Sequence, residues 1–99
     1  MRRGTTPTFN IIVTGCDLSG AESIFVTFKQ GKAQVDKTGD DLAVSGNNIA
    51  VLLKQEDTLQ FDADQKVSMQ IRIKTNSGTV IASGIKSLTV DEILKEGVI

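Results

Sequence analysis

The chain has 99 residues, of which 39% are hydrophobic and 23% charged; this composition fits one folded domain and excludes an intrinsically disordered chain. Its 11 basic and 12 acidic residues give a net charge of −1. The sequence lacks the basic stripe with which proteins neutralise phosphates, so we expect no nucleic-acid partner.

The first half of the chain reads as short strands with apolar residues at alternate positions. After Pro7, the residues Phe9, Ile11 and Val13 alternate with polar or semi-polar neighbours and predict a first strand. Residues 17–20 indicate a turn. The same alternation, interrupted by glycine-containing turns, predicts further strands over residues 24–28, 33–37, 42–44 and 49–53.

The second half opens with the one segment that departs from this period of two. Residues 55–59 predict a single helical turn, with Leu59 and Phe61 directed into the core. Residues 67–73 then give the cleanest alternation in the chain. The remaining predicted elements are a strand over 79–83, a bulge or bend at Gly84, and a short helix over 91–96; Ile85, Leu88 and Val90 end the β region.

About seven short strands with hairpin turns and no strand–helix alternation predict an all-β fold, namely an immunoglobulin-like antiparallel β-sandwich. We expect a single domain over residues 1–99, with a flexible N-terminal arm at 1–7 and an apolar C-terminal tail at 91–99. The predicted core comprises Phe9, Ile11, Val13, Ile24, Val26, Phe28, Ile49, Val51, Leu53, Leu59, Phe61, Val67, Met69, Ile71 and Ile73.

Few residues are suited to chemistry, since histidine, tryptophan and tyrosine are all missing. Cys16 has no histidine to activate it and cannot form an intrachain disulfide, because it is the only cysteine. Lys86 next to Ser87 could form a serine–lysine pair, but a lysine that protects a strand edge is the simpler interpretation. We therefore expect no enzymatic activity, no catalytic residues and no cofactor.

Pairs of acidic residues in predicted turns offer a calcium site as an alternative to plain turn chemistry. Calcium needs several oxygen ligands at short range. The segment Asp62-Ala63-Asp64 matches only the opening of a calcium loop. We therefore expect no metal. The acidic pairs are Asp40 with Asp41, Glu56 with Asp57, and Asp62 with Asp64.

The C-terminal tail is apolar where chains are usually polar. Either it folds back on its own sandwich, or it docks on another subunit or a partner. The second interpretation predicts protein partners or self-association, with a homo-oligomer as one form of it. The contact residues would be Ile93, Leu94, Val98 and Ile99.

Targeting signals are also lacking in the sequence. Arg2 and Arg3 are followed by a polar stretch and not by the apolar core of a signal peptide. No run approaches the roughly 20 apolar residues of a membrane-spanning helix. We expect a protein that is made in the cytoplasm and does not enter a membrane.

Five segments spread along the chain carry a family resemblance: residues 1–8, 25–31, 37–42, 55–61 and 93–99. They resemble segments of short proteins encoded in prophages of Gram-positive bacteria. The hairpin layout is also similar, more distantly, to the N-terminal β-sandwich domain of phage upper baseplate proteins. The resemblance implies a non-enzymatic structural or assembly protein of a phage virion, associated with the tail or baseplate; the alternative is a monomeric binding module or regulator directed at a host protein.

Overall fold

The computed structural model describes residues 1–13, 18–92, 94, 97 and 98, apart from the side chain of Ser19. Short strands account for most of this part of the chain, with one helical turn and two 3₁₀ turns between them. The elements are β1 Thr8–Ile12, β2 Ala21–Gln30, β3 Ala33–Thr38, β4 Leu42–Ser45, β5 Asn48–Leu52, α1 Gln55–Thr58, β6 Lys66–Thr75, β7 Val80–Ala82 and β8 Lys86–Thr89.

The eight strands form two antiparallel sheets that pack together, as an all-β sandwich requires. The small sheet has the strand order β1-β5-β4. The large sheet has the order β3-β2-β6-β7, and β8 pairs with β6 as well. The prediction of a two-sheet all-β fold is therefore confirmed.

The strand count exceeds the predicted seven because β7 and β8 pair with the same neighbour in succession. β7 pairs with the stretch of β6 from Arg72 to Lys74, and β8 with the stretch from Lys66 to Met69. Gly84 lies between them, where we predicted a bulge or bend. The two short strands together cover one edge of the long strand β6.

The core lies between the sheets and follows the predicted alternation on β2, β5 and β6. On β2, for example, Ile24, Val26 and Phe28 point inward, while Phe25 on the opposite face is 46% exposed. The buried apolar residues are Leu18, Ile24, Val26, Phe28, Val35, Ile49, Val51, Leu53, Phe61, Val67, Met69, Ile71, Ile73 and Val90.

The core prediction is wrong in detail at the ends of the sandwich. Phe9, Ile11 and Val13 are only partly buried, because β1 is an edge strand of the small sheet. Leu59 is also only partly buried, and Thr58 of α1 takes the inward position. The Thr58 hydroxyl donates to the carbonyl oxygens of Thr5 and Gln55 at 2.9 and 3.2 Å, which allows it to be buried.

Residues 1–7, which we expected to form a flexible arm, lie against the sandwich in the structure. The guanidinium of Arg3 donates to the carbonyl oxygens of Phe61 and Leu59, at 2.6 and 3.1 Å. These carbonyls lie just after α1, so the side chain of Arg3 attaches the N-terminal segment to this part of the chain. Arg2 also forms a parallel β-bridge with Asp91, so the arm and the start of the tail meet.

The expected helix over residues 91–96 does not start at Asp91. The backbone amide of Asp91 donates to the carbonyl of Met1 at 2.7 Å, and the amide of Arg3 donates to the carbonyl of Asp91 at 3.1 Å. Asp91 and Glu92 are not helical. Residues 93, 95 and 96 lie outside the described part of the chain.

The β2–β3 hairpin depends on a glycine at its two-residue turn. Gly31 has φ +56°, in the left-handed region, and Gln30 pairs with Ala33 across the turn. We expect Gly31→Ala to lower the free energy of unfolding by about 1 kcal/mol, because an L residue is strained there. Gly84→Ala is the control, since Gly84 does not require positive φ and an added Cβ would meet nothing within 4 Å. Chemical denaturation measures the free energy of unfolding of both variants. Equal losses of this free energy in Gly31→Ala and Gly84→Ala would contradict the prediction.

Candidate interaction surfaces

The described part of the C-terminal tail is exposed to solvent. The relative exposure of Leu94 is 106% and that of Val98 is 56%. Ile93 and Ile99, the other two predicted contact residues, lie outside the described residues. In this single chain, neither Leu94 nor Val98 is among the apolar residues that pack against the core.

An apolar groove of about 390 Å³ opens between the two sheets, on the side where β1 faces β7 and β8. Its apolar walls come from both sheets, and Lys86 is the one charged residue among the described residues that line it. Ile81 points into the groove because it pairs with the buried Ile73 on β6, yet it remains 43% exposed. The groove lining is Ile11, Ile12, Val13, Met69, Ile71, Ile73, Ile81, Ala82, Ser83 and Lys86.

The backbone of β1 borders this groove and offers free hydrogen-bonding groups. The amide of Val13 donates to Asn47 and the carbonyl of Pro7 accepts from Leu53, so odd-numbered residues of β1 bond toward β5. Backbone groups alternate along an antiparallel strand. Those of Thr8, Asn10 and Ile12 therefore point away from β5, and β1 is the edge of its sheet. Such an edge can accept one more strand.

The outer face of the small sheet is a second surface, whose strand residues are uncharged and whose border carries Asp40, Asp41 and Lys54. This face is formed by the outward-pointing residues of β1, β5 and β4. Two of them are large apolar side chains, Ile12 and Leu52, which are 68% and 51% exposed. The outer face of the large sheet, in contrast, carries charged side chains, among them Lys29, Asp36 and Arg72. The strand residues on the outer face of the small sheet are Thr8, Asn10, Ile12, Ala43, Ser45, Asn48, Ala50 and Leu52.

A lysine at an inward position of β3 forms an ion pair with α1. Lys37 lies opposite the buried Val26, and its Nζ is 2.6 Å from Oδ2 of Asp57. The two side chains are only 8% and 15% exposed. The same carboxylate accepts from the backbone amide of Lys54 at 2.8 Å, one half of a capping box at the start of α1.

The electrostatic environment of Asp57 favours its ionised form. Burial alone raises the pKa of this carboxyl, but the hydrogen bonds from Lys37 and from the Lys54 amide, together with the charges of both lysines, outweigh burial and lower it. Asp57 therefore holds the first turn of α1 against β3. Asp57 was predicted only as a candidate calcium ligand, and its pairing with Lys37 was not predicted.

The other candidate residues do not come together into a site. The described residues contain no group of three or more acidic or cysteine side chains placed to hold a metal ion. Lys86 and Ser87 are successive residues of β8 and point to opposite faces of the sheet. Cys16 lies outside the described residues.

Within the described ranges, no helix has the length and apolar character needed to cross a membrane. Comparison of the chain with protein-family models, with curated proteins and with solved structures found no match.

Proposed function

We propose that this chain is a non-enzymatic structural or assembly protein of a phage particle, associated with the tail or baseplate and acting through protein–protein contacts. The observation that carries the proposal is the combination of an exposed apolar tail, at Leu94 and Val98, with an open apolar groove beside an unpaired strand edge. Exposed apolar surface with free strand edges is typical of assembly modules. The phage context comes from the prophage resemblance.

The immunoglobulin-like description is part of the same proposal. In immunoglobulin constant domains, the first, second, fifth and fourth strands share one sheet. Here β1, β5 and β4 share a sheet, whereas β2 lies between β3 and β6 in the other sheet. We therefore propose a variant of the immunoglobulin-like sandwich in which the second strand has changed sheets.

The test is mass spectrometry of density-purified phage particles after induction of a prophage that carries this gene. We expect peptides of this chain at a fixed ratio to the tail proteins, because a structural component is present in constant copy number. Peptides of an abundant host protein measured in the same sample give the level of contamination.

Deletion of the gene completes the test of the assembly role. We expect the deletion to yield particles without functional tails, and a plasmid copy of the gene to restore them. Synthesis of the chain in the induced cell, with absence from particles and normal particles after deletion, would contradict the proposal. That result would favour a monomeric module that regulates a host protein.

A further inference from the structure

We propose that the groove between the sheets receives the C-terminal tail of a second copy of this chain, added as a strand along the open edge of β1. This inference rests on the contact role proposed above and names the partner of the tail. Strand addition supplies backbone hydrogen bonds at the edge and side-chain pockets beside it. The structure presents an apolar groove beside an open strand edge, and a tail whose apolar residues Leu94 and Val98 are exposed.

The chemistry of the groove matches the tail in apolar character and in charge. The groove is apolar with Lys86 as the one charged residue among its described lining. In an extended strand, alternate residues share a face. Once the tail is extended, which moves Gly97 out of its φ of +95°, Leu94, Glu96 and Val98 point the same way. An acidic side chain between two apolar ones suits an apolar groove with a single lysine.

The position of the tail on its own chain favours a second copy over folding back. Asp91 is held beside Met1 and Arg3 by backbone hydrogen bonds. Thr89, two residues before it, pairs with Lys66 at one end of β6. The groove-lining Ile81 pairs with Ile73, toward the other end of β6. To enter its own groove, the tail would have to reverse direction directly after the bridge at Asp91.

A contact of this kind is head-to-tail, because the surface given by one copy differs from the surface it receives. Repetition of a head-to-tail contact produces closed rings or open filaments. A two-fold contact between identical faces would instead stop at a dimer. A head-to-tail contact therefore predicts that a groove variant and a tail variant can pair with each other, whereas a two-fold contact between identical faces does not.

The experiment is sedimentation velocity of the full chain and of two exposed-site variants, up to millimolar concentration. We expect the wild-type chain to self-associate, and Ile81→Asp in the groove and Leu94→Asp in the tail each to weaken association by at least about tenfold, because each places a charge in an apolar contact. Val80→Asp is the matched control for the groove, since Val80 precedes Ile81 on β7, is 52% exposed and is not a lining residue.

A mixture of the two defective variants gives the decisive result. The intact groove of the Leu94→Asp chain should accept the intact tail of the Ile81→Asp chain, so the mixture should form a one-to-one dimer and stop there. Circular dichroism checks that each variant is folded. If Ile81→Asp does not fold, the charge-reversal variants Lys86→Glu in the groove and Glu96→Lys in the tail replace it. Each of these variants alone should associate weakly, and a mixture of the two should recover association.

Three outcomes would overturn the inference: a monomeric wild-type chain at every concentration, a mixture that stays monomeric, or unimpaired association of Ile81→Asp. Each is distinguishable from failure of the proposed function. If the chain is present in purified particles but stays monomeric in solution, only the inference of self-docking is wrong. If the variants pair as expected but particles lack the chain, only the phage role is wrong.

Discussion

Phe28→Ala should lower the free energy of unfolding by about 3–5 kcal/mol, the range found when a large side chain is removed from a packed core. Phe28 is completely buried on β2, and its ring centroid is 5.7 Å from that of Phe9 across the two sheets. Small domains are stable by only about 5–15 kcal/mol. We therefore expect this one substitution to leave a large fraction of the chain unfolded at modest denaturant concentrations.

Phe25→Ala is the matched control, because it removes the same side chain from the opposite face of the same strand. Phe25 is 46% exposed and pairs with Arg72 on the outer face of the large sheet. We expect a loss of about 1 kcal/mol or less. Urea unfolding followed by far-ultraviolet circular dichroism is suitable, since the chain has no tryptophan or tyrosine. Equal losses for the two variants would contradict the inward orientation of Phe28.

The success of the sequence analysis on β2, β5 and β6 has a simple physical basis. Successive side chains of a strand point to opposite faces, so the apolar phase of a long strand fixes which face is buried. A one-turn helix has no such repeat. The phase of α1 could therefore not be read from residues 55–59, and Thr58 was missed in favour of Leu59.

The features that matter most for contacts depend on neighbours that are distant in the sequence. The groove lies between β1 and β7, which belong to different sheets and are not consecutive in the chain. Arg3 is held by carbonyls more than 50 residues away, since its bond to Leu59 spans 56 positions. No local pattern contains this information. Only the inward position of Lys37 could have been predicted from the sequence, because Lys37 follows Val35 by two residues on β3 and so lies on the same face.

The Lys37–Asp57 ion pair should make a measurable net contribution that depends on both partners. We expect Lys37→Met and Asp57→Asn each to cost about 1–3 kcal/mol, since each leaves a nearly buried polar group without its charged partner. The double variant should cost clearly less than the sum of the two. Lys74→Met, an exposed change on the outer face of β6, is the control and should cost under about 0.5 kcal/mol. Strict additivity would show that the pair contributes nothing.

The same pair should produce an acid-dependent loss of stability that Asp57→Asn removes. The folded-state pKa of Asp57 is lowered, because the bonds and charges from Lys37 and Lys54 outweigh the opposing effect of burial. A carboxyl with a lowered pKa stabilises the fold at pH values above its unfolded pKa, about 3.9, and that stabilisation is lost as the pH falls through the folded value. The difference in unfolding free energy between the wild-type chain and Asp57→Asn should thus be constant from pH 7 to about pH 5 and shrink below about pH 4. If the difference persisted unchanged to pH 2, the loss of stability in Asp57→Asn would come from disturbed packing by the asparagine side chain and not from the loss of charge.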